Sequence, residues 1–457
     1  MSAVEGRWPA SPSYSDYLRA DSHPVPEFLL QESRRDFGCA PLAVERYTSQ
    51  TFFDREAERL WPRVWQMVCR EEELREVGDA IVYEIVGKSF IVLRSAPGSI
   101  RAFYNSCPHR GRKLLDGPGR LSRLRCAFHG FRWRLDGCVE SIPCEGDFAH
   151  VAAGDFDLPE ARVACWGGFV FLNMDRNAPA LEDYLGVLPA HFARWRLEDR
   201  YKAVHVGKVI ACNWKVAQEA FMESYHVIAT HPQILKFCAD ANSRYDILGD
   251  NVNRNLTAFG APSPHLGAAV EESATVDGML EMLGRKRDAA PQNRTPGASA
   301  GGSPRATLGA LVRRSFSRTY AGDWSRATDA ELLDAMVYNV FPNFSPWGGF
   351  APNIVYRWRP NGRDVASCLM EVMILKPLGV GAVRPDPAPL RLLGPDEPWS
   401  SVAELPILGP VIDQDMQNMP LVQQGLAASG TGRVQLGRYQ ESRIRHFHAR
   451  MDALLAD

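Results

Sequence analysis

The chain has 457 residues, 45% of them hydrophobic and 23% charged, and its 52 Lys+Arg nearly balance 54 Asp+Glu for a formal net charge of -2. That length calls for two or three domains with ample apolar material to bury, which excludes wholesale disorder. The charge balance supplies no basic field for phosphates, which argues against nucleic acid as a partner.

No apolar run reaches the roughly 18 residues of a membrane span, and the opening MSAVEGRWPASPSYSDY lacks the charged and apolar regions of a secretory signal, so a cytoplasmic chain with no membrane contact is expected. Ten cysteines are too dilute for a disulfide scaffold. Cys39, Cys69, Cys138, Cys144, Cys165, Cys212, Cys238 and Cys368 lack metal-ligand spacing and read as buried thiols.

In chain order, residues 1–64 begin rich in Pro, Ser and charge and continue into YTSQTFFDREAERLWPRVW, whose apolar spacing predicts an amphipathic helix packing with a later domain. Over 65–175 the pattern changes to short alternating runs, AIVYEIV, SFIVLRS, IRAFYNS and GGFVFLNM, separated by turn residues. A small all-β domain is expected there.

Residues 176–457 mix LEDYLGVLPAHFARW and WKVAQEAFMESYHVIATH, helical by period, with strand-like YKAVHVGKVIACNW, DAMVYNVFPNF, NIVYRWRP and ASCLMEVMILKPL, which predicts a larger α+β domain. Residues 285–305 and 377–399, rich in Gly, Ser, Pro and Ala or in Pro, read as flexible loops. Two closing helices are expected, around PVIDQDMQNMPLVQQGL and at the C-terminus.

The β stretch contains Cys107-Pro-His109 and Cys126-Ala-Phe-His129, with sixteen residues between His109 and Cys126. Two thiolates and two imidazoles suit tetrahedral zinc or a [2Fe–2S] cluster whose histidines serve one iron and cysteines the other. Zinc fingers pair Cys with Cys and His with His along the chain, whereas here each pair is mixed, which favours the cluster. The run C-P-H-R-G followed by C-x-F-H-G resembles the Rieske domain of ring-hydroxylating oxygenases. Phe128 and Phe131 stand where that family usually has Tyr and Trp; a Phe cannot donate a hydroxyl hydrogen bond to the cluster, so a lower reduction potential is expected.

Asn213-Trp-Lys-Val-Ala-Gln-Glu219-Ala-Phe-Met-Glu223-Ser-Tyr225-His226 and His231-Pro232 follow. On one continuous helix, five residues turn through about 500°, leaving the two imidazoles roughly 140° apart and unable to share an ion. Pro232 pushes His231 out of the α region and lets it swing back. Two histidines and a carboxylate on one face, with open positions opposite, suit an O₂-activating Fe(II). The stretch resembles the family's N-W-K-x-x-x-E-N-x-x-[DE]-x-Y-H-x-x-x-x-H, which implies His226 and His231 as iron ligands and Glu223 as the acid bridging to a neighbouring subunit's Rieske histidine. It also implies site roles for Asn213 and Tyr225. Ala220 departs from the pattern, which often has Asn there. VIDQDMQNMPLVQQGL resembles the late acidic stretch, implying Asp415 as third ligand with Asp413 in reserve.

The resemblance, closest over residues 45–250, implies the large (alpha) catalytic subunit of a Rieske non-haem iron oxygenase: an α+β chain with an all-β cluster domain and a larger antiparallel sheet covered by helices. It would carry one [2Fe–2S] cluster and one mononuclear Fe(II), and use O₂ to hydroxylate a small organic substrate. The absence of G-x-G-x-x-G after a strand or of a flavin fingerprint points to electrons from a separate reductase or ferredoxin. A head-to-tail homotrimer is implied, with or without a small beta subunit.

Phe221, Met222, Phe237, Phe341, Phe344, Trp347, Phe350 and Tyr356 are candidate pocket residues. An aromatic, polycyclic or steroid-like ring is the first substrate reading, and a quaternary ammonium compound held by cation–π attraction is the alternative. A non-catalytic Rieske electron carrier and a zinc-stabilised binding module are the rivals from other classes.

Overall fold

The computed structural model describes residues 11–152, 154–282, 303–351 and 353–456. A seven-stranded sheet runs in the order Gln66–Arg70, Phe169–Asn173, Glu160–Trp166, Ser99–Tyr104, Lys88–Ala96, Asp79–Ile85, Gly119–Arg120. Beside it lies a three-stranded sheet of Leu124–Arg125, Arg132–Trp133 and Val139–Ser141. A separate small core joins the two, with Ile91, Leu93, Phe103, Phe131 and Trp133 buried around Cys107 and Cys126. The alternating runs of the sequence become strands here because one face has this core to cover.

The second unit is an eight-stranded sheet ordered Arg244–Ile247, Val252–Thr257, Ala335–Val340, Phe344–Pro346, Ile354–Asn361, Asp364–Lys376, Tyr201–Ile210, Arg391–Leu393. Every pairing is antiparallel except the last. Helices Leu408–Ala427 and Ser442–Ala456 cover it, the latter through the Arg443 Nε bond to Asn253 Oδ1 (2.6 Å) and the contact of Phe447 with Phe341 (5.3 Å between rings). Among the described residues no helix is long and apolar enough to cross a membrane.

The two sheets are joined through Glu371, fully buried on strand Asp364–Lys376. Its carboxylate accepts from Arg357 Nη2 (2.7 Å) and Nε (2.8 Å) and from Arg359 Nε (2.9 Å), and lies 3.2 Å from His205 Nε2. Arg357 Nη1 reaches on to the carbonyls of Met67 and Val68 at 2.9 and 2.6 Å, on the first strand of the smaller unit. One carboxylate thus anchors a side chain that spans both sheets.

Four local expectations differ. The single amphipathic helix before residue 64 is broken into Glu45–Thr48, Gln50–Arg55, a wide π turn at Glu56–Leu60 and a tight turn at Trp61–Arg63. Pro62 has no amide proton to continue the ladder. The broken turn turns Glu56 inward, where it meets the Lys215 ammonium and accepts from Trp214 Nε1 at 3.0 Å, tying this segment to the base of helix Trp214–Glu219.

The helix expected through His231 ends at Glu219 and resumes only as Val227–Thr230. Of the flexible stretch expected at 285–305, residues 285–302 lie outside the described residues, and 303–305 open helix Pro304–Thr319, capped by Ser303. The 377–399 stretch, also expected as a loop, supplies edge strand Arg391–Leu393, ties Ala388 N to Lys202 O (2.8 Å) and ends at fully buried Trp399.

Candidate metal centres and the adjoining cavity

The two mixed Cys/His runs fold into a matched pair of knuckles. Cys107 N donates to Arg112 O (2.9 Å) and Gly111 N to Cys107 O (2.8 Å); Cys126 N donates to Phe131 O (2.9 Å) and Gly130 N to Cys126 O (3.0 Å). Both closing glycines sit at positive φ, 75° for Gly111 and 81° for Gly130, where a side chain would be strained. This is why each pair is followed so closely by glycine.

The knuckles face each other, with Cys107 and Cys126 buried and the His109 and His129 rings 4.6 Å apart. Burial works against the Cys126 thiolate, but the backbone N–H groups of Phe128 and His129 outweigh it and hold its pKa low. The Nδ1 atom of His109 is buried without a hydrogen-bond partner among the described residues. A buried ring nitrogen left so is costly unless it binds a metal, so the donor set fits a cluster ligated by two thiolates and two imidazoles. Phe131 stacks flat on His109 (4.9 Å, 4°), while Phe128 is 55% exposed, packed on His129 (3.9 Å) with the Arg110 guanidinium over it (5.1 Å).

In the larger unit, His226 and His231 flank the short helix Val227–Thr230, and His231, at φ -126° and ψ 52° before Pro232, has left helical geometry. Their rings lie 5.2 Å apart at 74°. Asp415, buried on helix Leu408–Ala427, places Oδ1 3.1 Å from His231 Nε2 and 3.7 Å from His226 Nε2. One ligand atom from each of the three lies within 4.8 Å of the others. Each imidazole uses Nδ1 outward: His226 to Glu223 Oε1 (2.7 Å) and His231 to Gln414 Oε1 (2.7 Å). Orienting bonds on the outer nitrogens that leave Nε2 facing a carboxylate are what a metal-binding histidine pair requires. Glu223 also accepts from His226 N (2.9 Å), fixing the turn that carries the ring.

Asp413 is used elsewhere, accepting from Trp399 N (2.7 Å) and Ser400 N (3.0 Å). Asn213 caps helix Trp214–Glu219: its Oδ1 accepts from Lys215 N (3.0 Å) and its Nδ2 donates to Val365 O (2.8 Å). It serves the helix and is not part of the His–His–Asp cluster. Tyr225 is 57% exposed, also outside that cluster. Gln414 escaped sequence reasoning, since a glutamine between two aspartates carries no ligand signal. Gln414→Ala is expected to weaken mononuclear iron affinity by about 10–100-fold, checked by Fe(II) titration, while cluster absorption stays unchanged.

A cavity of about 510 Å³ adjoins these elements, with Leu408 and Val411, two turns and one turn ahead of Asp415 on its helix, and Ile234, three residues beyond His231, in its wall. The remaining wall is mostly apolar, with Phe259, Phe316, Tyr320, Trp347 and Phe350 as its aromatic members. Of the eight expected pocket residues only Trp347 and Phe350 face it; Met222, Phe237, Phe341, Phe344 and Tyr356 are buried core, and Phe221 packs on Tyr356 (4.9 Å).

Residues 190–457 match the family described as ring hydroxylating alpha subunit (catalytic domain). The chain belongs to this ring-hydroxylating alpha-subunit family. Residues 64–159 match the Rieske [2Fe-2S] domain, so the knuckles belong to a cluster domain and the family carries a mononuclear iron beside it.

The oxygenase subunit of carnitine monooxygenase from Escherichia coli (strain K12) is 33% identical over 216 residues, 45% of this chain and 57% of that relative. The alpha subunit of biphenyl 2,3-dioxygenase from Rhodococcus jostii (strain RHA1) is 33% identical over 194 residues, 40% of this chain and 42% of that subunit. The chain therefore spans about half the length of the relatives it matches in sequence. A crystal structure of a quaternary ammonium Rieske monooxygenase in complex with L-carnitine superposes with a TM-score of 0.64 at 18% identity, over 93% of this chain and all of that one. At that identity the likeness speaks for the fold, which is the one expected: an all-β cluster domain and a larger antiparallel sheet covered by helices.

Proposed function

We propose that this chain is the terminal oxygenase of a multicomponent system, in which Cys107, His109, Cys126 and His129 hold the cluster and His226, His231 and Asp415 hold Fe(II). The observation that carries this reading is the convergence of His226, His231 and Asp415 in a chain that also bears the facing knuckles. When bound, the cluster supplies single electrons and the Fe(II) activates O₂, chemistry that no side chain offers. The protein's part is to orient both imidazoles through Glu223 and Gln414, and to exclude water from substrate with the apolar cavity wall. Glu223, half of a hydrogen-bonded pair with His226, is the candidate to pass a proton and to meet a neighbouring subunit's cluster histidine in a head-to-tail trimer. Electrons come from a separate reductase or ferredoxin.

For substrate, the carnitine relative moves the quaternary ammonium reading ahead of the aromatic ring. The aromatic members of the cavity wall suit a methylated ammonium through cation–π attraction, and the absence of charge along most of the wall suits its methyl groups. Substrate-dependent O₂ uptake by the iron-loaded enzyme with a surrogate reductase tests this. Uptake with hydroxylated or demethylated product from N-methylated compounds is expected; turnover of biphenyl-type rings alone would return the first reading, and no turnover of either class would count against both.

A further inference from the structure

A second cavity, about 620 Å³ and more polar, shares Phe350 and Pro377 with the apolar one. Arg194, Arg196, Arg200, Arg326 and Arg384 line it, against Asp199 and Asp323. Three of the arginines are held by carboxylates: Arg194 by Glu331 (2.6 and 3.1 Å), Arg196 by Asp199, and Arg384 by Glu72 (3.2 Å).

Arg200 is different. It is 3% exposed, yet its hydrogen bonds run to carbonyls, Trp195 O (3.3 and 3.2 Å) and Phe350 O (3.2 Å), and among the described residues no carboxylate lies within ion-pair distance. Three of its five N–H donors are accounted for in this way. Its positive charge is therefore desolvated without an ion-pair partner, and burial, only partly offset by the nearby charges of Asp199 and Glu198, pulls its pKa down to about 10. Arg326, exposed on the same cavity, likewise has no ion pair among the described residues.

The two cavities meet at Phe350 and Pro377, which line both. Phe350 N donates to Glu331 O (2.7 Å), its carbonyl accepts from Arg200, and its ring is set edge-on against Trp324 (5.3 Å) with the Arg194 guanidinium 5.9 Å away.

We propose that the arginine cavity is an anion subsite that takes the carboxylate of a substrate whose apolar or N-methylated body occupies the adjoining cavity. A planar guanidinium fork matches a carboxylate, and an incoming anion would supply the counter-charge that Arg200 lacks. This rests on reading the apolar cavity as the substrate's.

The test is calorimetric binding to the iron-loaded holoenzyme, which needs no turnover and so can fail or succeed independently of the oxygenase reading. The probes are 4-phenylbutyrate with its amide and γ-butyrobetaine with its amide. In at least one pair the acid is expected to bind about tenfold or more tighter than the amide, as one charge-assisted contact allows. That preference should vanish in R326Q, whose exposed position leaves folding intact, and in R200Q. Equal affinity within both pairs, a preference that survives in R326Q and R200Q, or no binding by either acid up to about 10 mM would overturn the proposal.

Discussion

Replacing Asp415 with Ala is expected to remove the mononuclear iron and leave the cluster's two irons in place. The carboxylate lies 3.1 and 3.7 Å from the two Nε2 atoms, and among the described residues no other His, Cys, Asp or Glu joins the two histidines as a third ligand. With two imidazoles alone the metal is held by too few donors. Activity should fall by about a thousandfold or more, since the metal supplies several kcal/mol that no side chain replaces. Asp413→Ala is the control. It removes a carboxylate that accepts from Trp399 N and Ser400 N, so its effect should be a loss of about 1 kcal/mol of stability with iron content unchanged. Metal analysis with cluster absorption on the two variants separates the two aspartates. Iron retained in Asp415→Ala and lost in Asp413→Ala would exchange their roles.

Glu371→Gln is expected to be strongly destabilising. The amide cannot neutralise Arg357 and Arg359, and both would remain as buried cations within the joint between the sheets. Breaking such a pair from one side costs about 3–5 kcal/mol, and the guanidinium unfolding midpoint should drop accordingly. Cluster absorption should be lost earlier along the same curve, because Arg357 also holds the Met67–Val68 strand of the cluster domain.

The same carboxylate sets an acid limit. Burial raises its pKa, but Arg357, Arg359 and the His205 contact outweigh it and hold it well below the ordinary value of 4.5. A depressed folded-state pKa gives stability that is complete above the unfolded value and is lost as pH falls through the folded one. Wild type should therefore keep this contribution through mildly acidic pH and lose it only well below 4.5, whereas the Gln variant has none to lose.

How much of this could be read beforehand depended on whether a residue's role was local. The two knuckles were legible because each Cys and His pair lies within a single turn closed by a glycine, so their local geometry is encoded in the spacing. His226 and His231 were legible as residue types, but not as elements. Their helix stops at Glu219, and periodicity does not register the turn in which Glu223 accepts from His226 N.

Asp415 and Asp413 are two apart on one helix and point to different sides, so only the packing of helix Leu408–Ala427 against Trp399 and the histidines distinguishes them. Gln414 meets His231 across 183 residues, a separation over which no local rule operates. The cavity wall failed for the same reason. It is assembled from Ile234 to Val411, and the aromatic residues that looked available from composition were mostly spent on the core.

One chain is expected to hold both a Rieske cluster and a mononuclear iron. The most direct measurement is the visible and dithionite-reduced EPR spectrum of protein purified under low oxygen without chelators, with iron and zinc analysis of the same sample. A red-brown protein with a Rieske signal and one iron per chain beyond the cluster's two, restorable by Fe(II) if lost, is expected. A colourless protein loaded with zinc at Cys107, His109, Cys126 and His129 would contradict the account.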